Sequence, residues 1–115
     1  MLAHGALLRK NFFSADELAA LVRDFRSAGL PPEEVALMAF AQKVATQARH
    51  IDEGDMAELR GYGFTDEEIL DVVLAAAARS FFSKTLDSLA ATPDAVYAGL
   101  EPELLGLLAA GRPFP

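Results

Sequence analysis

Apolar positions in this chain recur three and four residues apart, and no stretch shows sustained period-two alternation with β-branched enrichment. The pattern predicts an all-α fold, a bundle of about five to six helices. Its dominant segment runs from Thr65 to Leu89. From Ile69 to Ala78 this segment is apolar at nearly every position except Asp71, which predicts a central helix enclosed by other elements. At about 25 residues and 1.5 Å per residue it spans about 37 Å, the width of a small domain. Thr65 opens it as one half of a capping box that Glu68 completes.

Shorter helices flank it on both sides. Met1 to Lys10 reads as the tail of a helix with no N-cap of its own, Leu7 and Leu8 apolar and Arg9-Lys10 at its end. Ser14 and Glu17 form a second capping box, ahead of a stripe at Leu18, Leu21, Val22 and Phe25 that Gly29 terminates. Phe13 and Leu18 are placed to form a hydrophobic staple. Pro31-Pro32 fixes the start of a third helix, with Val35, Met38, Ala39, Gln42 and Ala45 along one face, running to about His50. Asp52 caps a short fourth helix carrying Met56 and Leu59, closed by Gly61 to Gly63. Thr92-Pro93 begins a turn or short helix. Glu101-Pro102 begins a last one, through Leu104, Leu105, Leu107 and Leu108 to Gly111.

Composition adds bounds rather than elements. At 115 residues, 52% hydrophobic and 23% charged, the chain has the size and balance of one globular domain, residues 1–115. Asp71 and Arg79 interrupt the longest apolar run, so no membrane span is expected. No basic segment leading into an apolar one opens the sequence, which points to the cytoplasm. The net charge of −7 is mostly helix electrostatics. Asp16, Glu17, Glu33, Glu34, Glu53, Asp55, Asp66, Glu67 and Glu68 fall in predicted first turns, and Arg9, Lys10, Arg23, Arg26, Arg49 and Arg60 lie toward C-terminal ends. With no basic stripe, nucleic-acid binding is not expected.

Candidate chemistry is sparse. Zero cysteines exclude disulfides, thiolate metal sites and thiol nucleophiles within these residues. His4 stands alone near the N-terminus, and His50 has a sufficient explanation at a helix C-terminus. Two histidines on different helices do not make a zinc set, and Asp52-Glu53-Gly54-Asp55 lacks the spacing of a calcium loop. Gly61-Tyr62-Gly63 follows a helix, not a strand, and reads as a turn rather than a dinucleotide fingerprint. No cofactor is implied. Asp71 and Arg79, inside the apolar helix, are the remaining polar residues of interest, facing either water or a partner.

The segment Leu59-Arg60-Gly61-Tyr62-Gly63-Phe64-Thr65-Asp66-Glu67-Glu68-Ile69-Leu70 resembles one in the alkylhydroperoxidase D (AhpD)-like, carboxymuconolactone decarboxylase superfamily. The likeness is to its peroxidase-related branch, where such a segment precedes a long helix. Leu30 to Leu37 resembles the branch's earlier helix start, and Ala110-Gly111-Arg112-Pro113-Phe114 its closing segment. The resemblance implies an AhpD-like helical fold and thiol-dependent reduction of hydroperoxides, an antioxidant activity carried by a Cys-x-x-Cys-x-x-x-His helix and an upstream glutamate. His4-Gly5-Ala6-Leu7-Leu8-Arg9 is similar to the segment that begins at the relay histidine, so His4 alone carries over as a catalytic residue. On that alignment the second cysteine falls immediately before Met1, and the chain is truncated at its N-terminus relative to the family. Where the branch has Asn, Asn and Arg on the long helix, this chain has Ser80, Ser83 and Lys84.

Three readings follow: an AhpD-like peroxidase seen without its thiols, a Cys-less helical binding or assembly module, or an unrelated fold with Asp71 and Arg79 lining a ligand pocket. In every case a homo-oligomer is expected. Phe12-Phe13 and Phe81-Phe82 are adjacent pairs, and neighbours on a helix point about 100° apart, so one small core struggles to bury both members. With Leu2, Leu7, Leu8 and the tail Pro113-Phe114-Pro115 they predict surface that a second copy covers.

Overall fold

The computed structural model describes residues 1–109, which are all-helical: six α-helices, with a short 3-10 turn in three of the five connections, and no strand among the described residues. The expected Gly111 terminus and the closing segments 110–115 lie outside the described residues. The helices are α1 (Leu2–Asn11), α2 (Ala15–Arg23), α3 (Pro32–Gln47), α4 (Glu53–Gly61), α5 (Asp66–Ser88) and α6 (Pro102–Leu108). They belong to two compact units, one formed by Met1–Gly29 with residues 91–109, the other by Leu30–Ala90.

Local chemistry sets most of the boundaries. Ser14, Asp52 and Thr65 each accept from the backbone amide three residues on, and Glu17, Asp55 and Glu68 each return a bond to the cap amide. The nine first-turn carboxylates and six C-terminal cations anticipated from the sequence fall at those ends. We expect Thr65→Ala to destabilise by about 1 kcal/mol and Thr65→Asp by less, since aspartate caps equally well. Thermal melts in the reverse order would place the start of α5 elsewhere.

In the first unit, α1, α2 and α6 enclose Leu2, Leu18, Ala19, Leu104 and Leu108, with Phe13 packed against them as the staple requires. Gly5 lets α1 approach α6: a Cβ there would lie 2.5 Å from Leu108 Cδ1. Arg9 donates from Nε and Nη2 to Glu101 Oε1 at 2.9 and 2.7 Å, joining the end of α1 to the start of α6. This guanidinium holds the Glu101 carboxyl below its ordinary range. Helix α2 stops at Arg23, short of the expected Gly29. Asp24 is extended (φ −160°, ψ 98°), and its carboxylate accepts from the Arg26 amide at 3.1 Å and from Ser27 Oγ at 2.8 Å. A side chain that satisfies the following backbone competes with helix continuation, so Phe25 enters a 3-10 turn and leaves the α2 stripe.

In the second unit, α3 and α4 pack on α5 around Phe40, Leu59 and Ile69. Helix α4 ends in a Schellman motif. Phe64 N donates to Leu59 O at 3.2 Å and Gly63 N to Arg60 O at 2.9 Å, with Gly63 at φ 96° and Phe64 against the cluster that holds Leu59. Lys43 Nζ donates to both oxygens of Asp55, at 2.8 and 2.7 Å, and this bond is the main reason the Asp55 carboxyl sits below its usual range.

Two expectations change here. The inner face of α3 is Ala36, Leu37, Phe40 and Val44, whereas Met38, Gln42 and Ala45 are exposed. The expected stripe is rotated about one position, because the bulky Phe40 rather than the small Ala39 fills the core. Helix α5 is not enclosed on all sides either. Only Ile69 is fully buried along it, and Leu70, Leu74, Phe81, Phe82 and Leu86 are all more than half exposed. Its apolar composition exceeds what α3 and α4 cover. No described helix is long and apolar enough to cross a membrane.

Candidate functional site

Near the end of α3 the chain tightens into a 3-10 turn, Ala48–His50, and with the middle of α5 this turn borders an open groove of about 640 Å³ within the second unit. Val44, Ala45, Ala77 and Phe81 give it apolar walls. Thr46, Gln47 and Ser80 add polar atoms, and Arg49, His50 and Lys84 add basic side chains. The Thr46 hydroxyl is already committed to Gln42 O at 2.8 Å. Among the described residues no carboxylate lines the groove, although the chain carries seventeen Asp and Glu. Four cations elsewhere are paired: Arg9 with Glu101, Arg23 with Glu103, Lys43 with Asp55, and Arg60 with Glu53 and Asp66, whereas Lys10 and Arg79 take no ion pair among the described residues. Among the described residues, the side chains of Arg49, His50 and Lys84 take no ion pair.

The residues singled out in the sequence are scattered. His4 is exposed on α1 in the first unit, with no hydrogen bond or ion pair from its ring among the described residues. His50 belongs to the second unit. No described group of three His, Asp or Glu side chains is gathered as a metal would need. Asp71 is exposed and Arg79 half-buried, and neither lines the groove, so the ligand pocket anticipated for that pair is not this one. Ser80 and Lys84, singled out as departures from the family's polar positions, do line it. Arg49 and Phe81 were missed as groove residues. Their signal, a helix-end cation and an exposed ring, is shared by positions with no such role.

A second surface lies along the other flank of α5. At 100° per residue, Phe82, Leu86 and Leu89 share one side of the helix, spaced four and three apart. They are 60%, 52% and 74% exposed. Phe81 points about 100° away, toward the groove, and its ring meets that of Phe82 edge-on at 5.6 Å. The four phenylalanines do not share one core: Phe12, Phe81 and Phe82 are exposed, and Phe13 packs inward.

No protein-family model matches this chain, and comparison with curated proteins and with solved structures finds no match.

Proposed function

We propose that this chain is a non-catalytic helical assembly module, related to the AhpD-like superfamily its sequence resembles, and that it self-associates through the Phe82–Leu86–Leu89 flank of α5. The exposed seam is the observation that carries the reading. Its four-three spacing is that of a coiled-coil stripe, which can meet a copy of itself across a two-fold axis. The thiols on which the family's peroxidase route depends are not among residues 1–115, and His4 has no partner in place among the described residues. The AhpD-like resemblance supports kinship and, through the family, an ancestral link to hydroperoxide reduction.

Both halves of the reading are open to measurement. The assembly half predicts a mass in solution above that of one chain. The non-catalytic half predicts that purified protein, supplied with an organic hydroperoxide and a thiol reductant, consumes peroxide no faster than buffer. Attack by this route needs a thiolate, and methionine oxidation without a reductase stops after stoichiometric reaction. Multiple turnovers per chain would overturn it.

A further inference from the structure

We infer that the groove between the end of α3 and the middle of α5 is a binding site for a small amphipathic organic anion, a carboxylate attached to a short apolar chain. The inference is independent of self-association, which uses the opposite flank of α5.

Charge is the first observation. In a chain of net −7, three basic side chains from two separate elements border one concavity that no carboxylate of the described residues lines. Helix electrostatics accounts for Arg49 and His50, which follow the C-terminus of α3. It does not account for Lys84. That residue lies before the last turn of α5, where no basic residue occurs, and its ammonium takes no carboxylate among the described residues. The α3 terminus contributes roughly −0.5 of a charge. Arg49 and Lys84 contribute two full positive charges, so the local balance remains positive.

Shape and lining are the second observation. About 640 Å³ lies within the range of roughly 300–1,000 Å³ found for small-molecule sites. Val44, Ala77 and the exposed face of Phe81 offer an apolar bed beside the cations. Inorganic phosphate would use only the charges, and a neutral hydrocarbon only the bed. A short-chain carboxylate uses both: its headgroup takes charge-assisted hydrogen bonds from Arg49 and Lys84 while its chain covers the Phe81 ring. The groove is open, so affinity in the micromolar to millimolar range is expected.

Isothermal titration of the full chain with octanoate, octanamide and inorganic phosphate tests the assignment. Saturable octanoate binding is expected, at least tenfold tighter than that of either comparison compound. Arg49→Gln and Lys84→Gln should each weaken it about tenfold, whereas Lys10→Gln, an equal loss of charge in the other unit, should leave it unchanged. Far-UV circular dichroism of the variants confirms that the helices persist. Octanamide binding as tightly as octanoate would overturn the proposal, as would phosphate matching octanoate, octanoate failing to saturate, or Lys10→Gln weakening it as much as Lys84→Gln.

Discussion

Leu59→Ala is expected to destabilise the second unit by about 2–5 kcal/mol, among the largest losses available in this chain. Leu59 is 1% exposed, and the other buried apolar side chains of that unit are Phe40 and Ile69. A core centred on three buried side chains has little capacity to collapse around a lost isobutyl group. The same residue is the acceptor at the close of α4, where Phe64 donates to its carbonyl and packs on the same cluster. Truncation therefore loosens the link that turns α4 into α5. A domain's whole stability is typically about 5–15 kcal/mol, so a substantial unfolded fraction follows at modest urea. Leu70→Ala, at a position 56% exposed, is the control and should stay within about 0.5 kcal/mol of the wild type. Urea titrations followed by circular dichroism decide the matter; equal midpoints for the two variants would contradict the assigned core.

The physical reasons these features differed in legibility are visible residue by residue. The caps at Ser14, Asp52 and Thr65 were readable because each is a bond between residues three apart, complete before any tertiary contact forms. Pro32 and Gly63 were readable for the same reason, since each fixes its own backbone. Asp24 was not: an aspartate late in an apolar stripe is compatible with helix, and only its bonds to Arg26 and Ser27 reveal the break. The face of α3 depended on whether Phe40 or its smaller neighbours met α4 and α5, a question of volume rather than period. For α5, composition measured how much apolar surface exists and not how much the unit can cover. The groove lay furthest out of reach. It joins residues from α3, the following turn and α5; Arg49 and His50 have an ordinary explanation at a helix end, and a single exposed lysine such as Lys84 carries no signal by itself.

Replacing Phe82 by glutamate is the second variant expected to have a large effect, and it acts on assembly rather than on folding. Phe82 is 60% exposed within one chain, so the substitution removes little intrachain packing. In a two-fold contact centred on this position it places two carboxylates in an apolar interface, opposite one another. At about 2 kcal/mol each, the pair would weaken association roughly a thousandfold. Phe81→Glu tests direction. Phe81 is as exposed as Phe82 but points about 100° away toward the groove, so it should leave the assembly intact. Size-exclusion chromatography of both variants reads the difference directly. Dissociation by Phe81→Glu alone would move the interface to the other flank of α5.

Sedimentation equilibrium of the unaltered chain across a micromolar concentration series bears most directly on the proposed role. Association through α5 predicts a weight-average mass that climbs above the 12.3 kDa of one chain toward a multiple of it as concentration rises, or already stands at that multiple throughout. A mass of 12.3 kDa that stays constant over the series would contradict self-association and with it the reading of this chain as an assembly module.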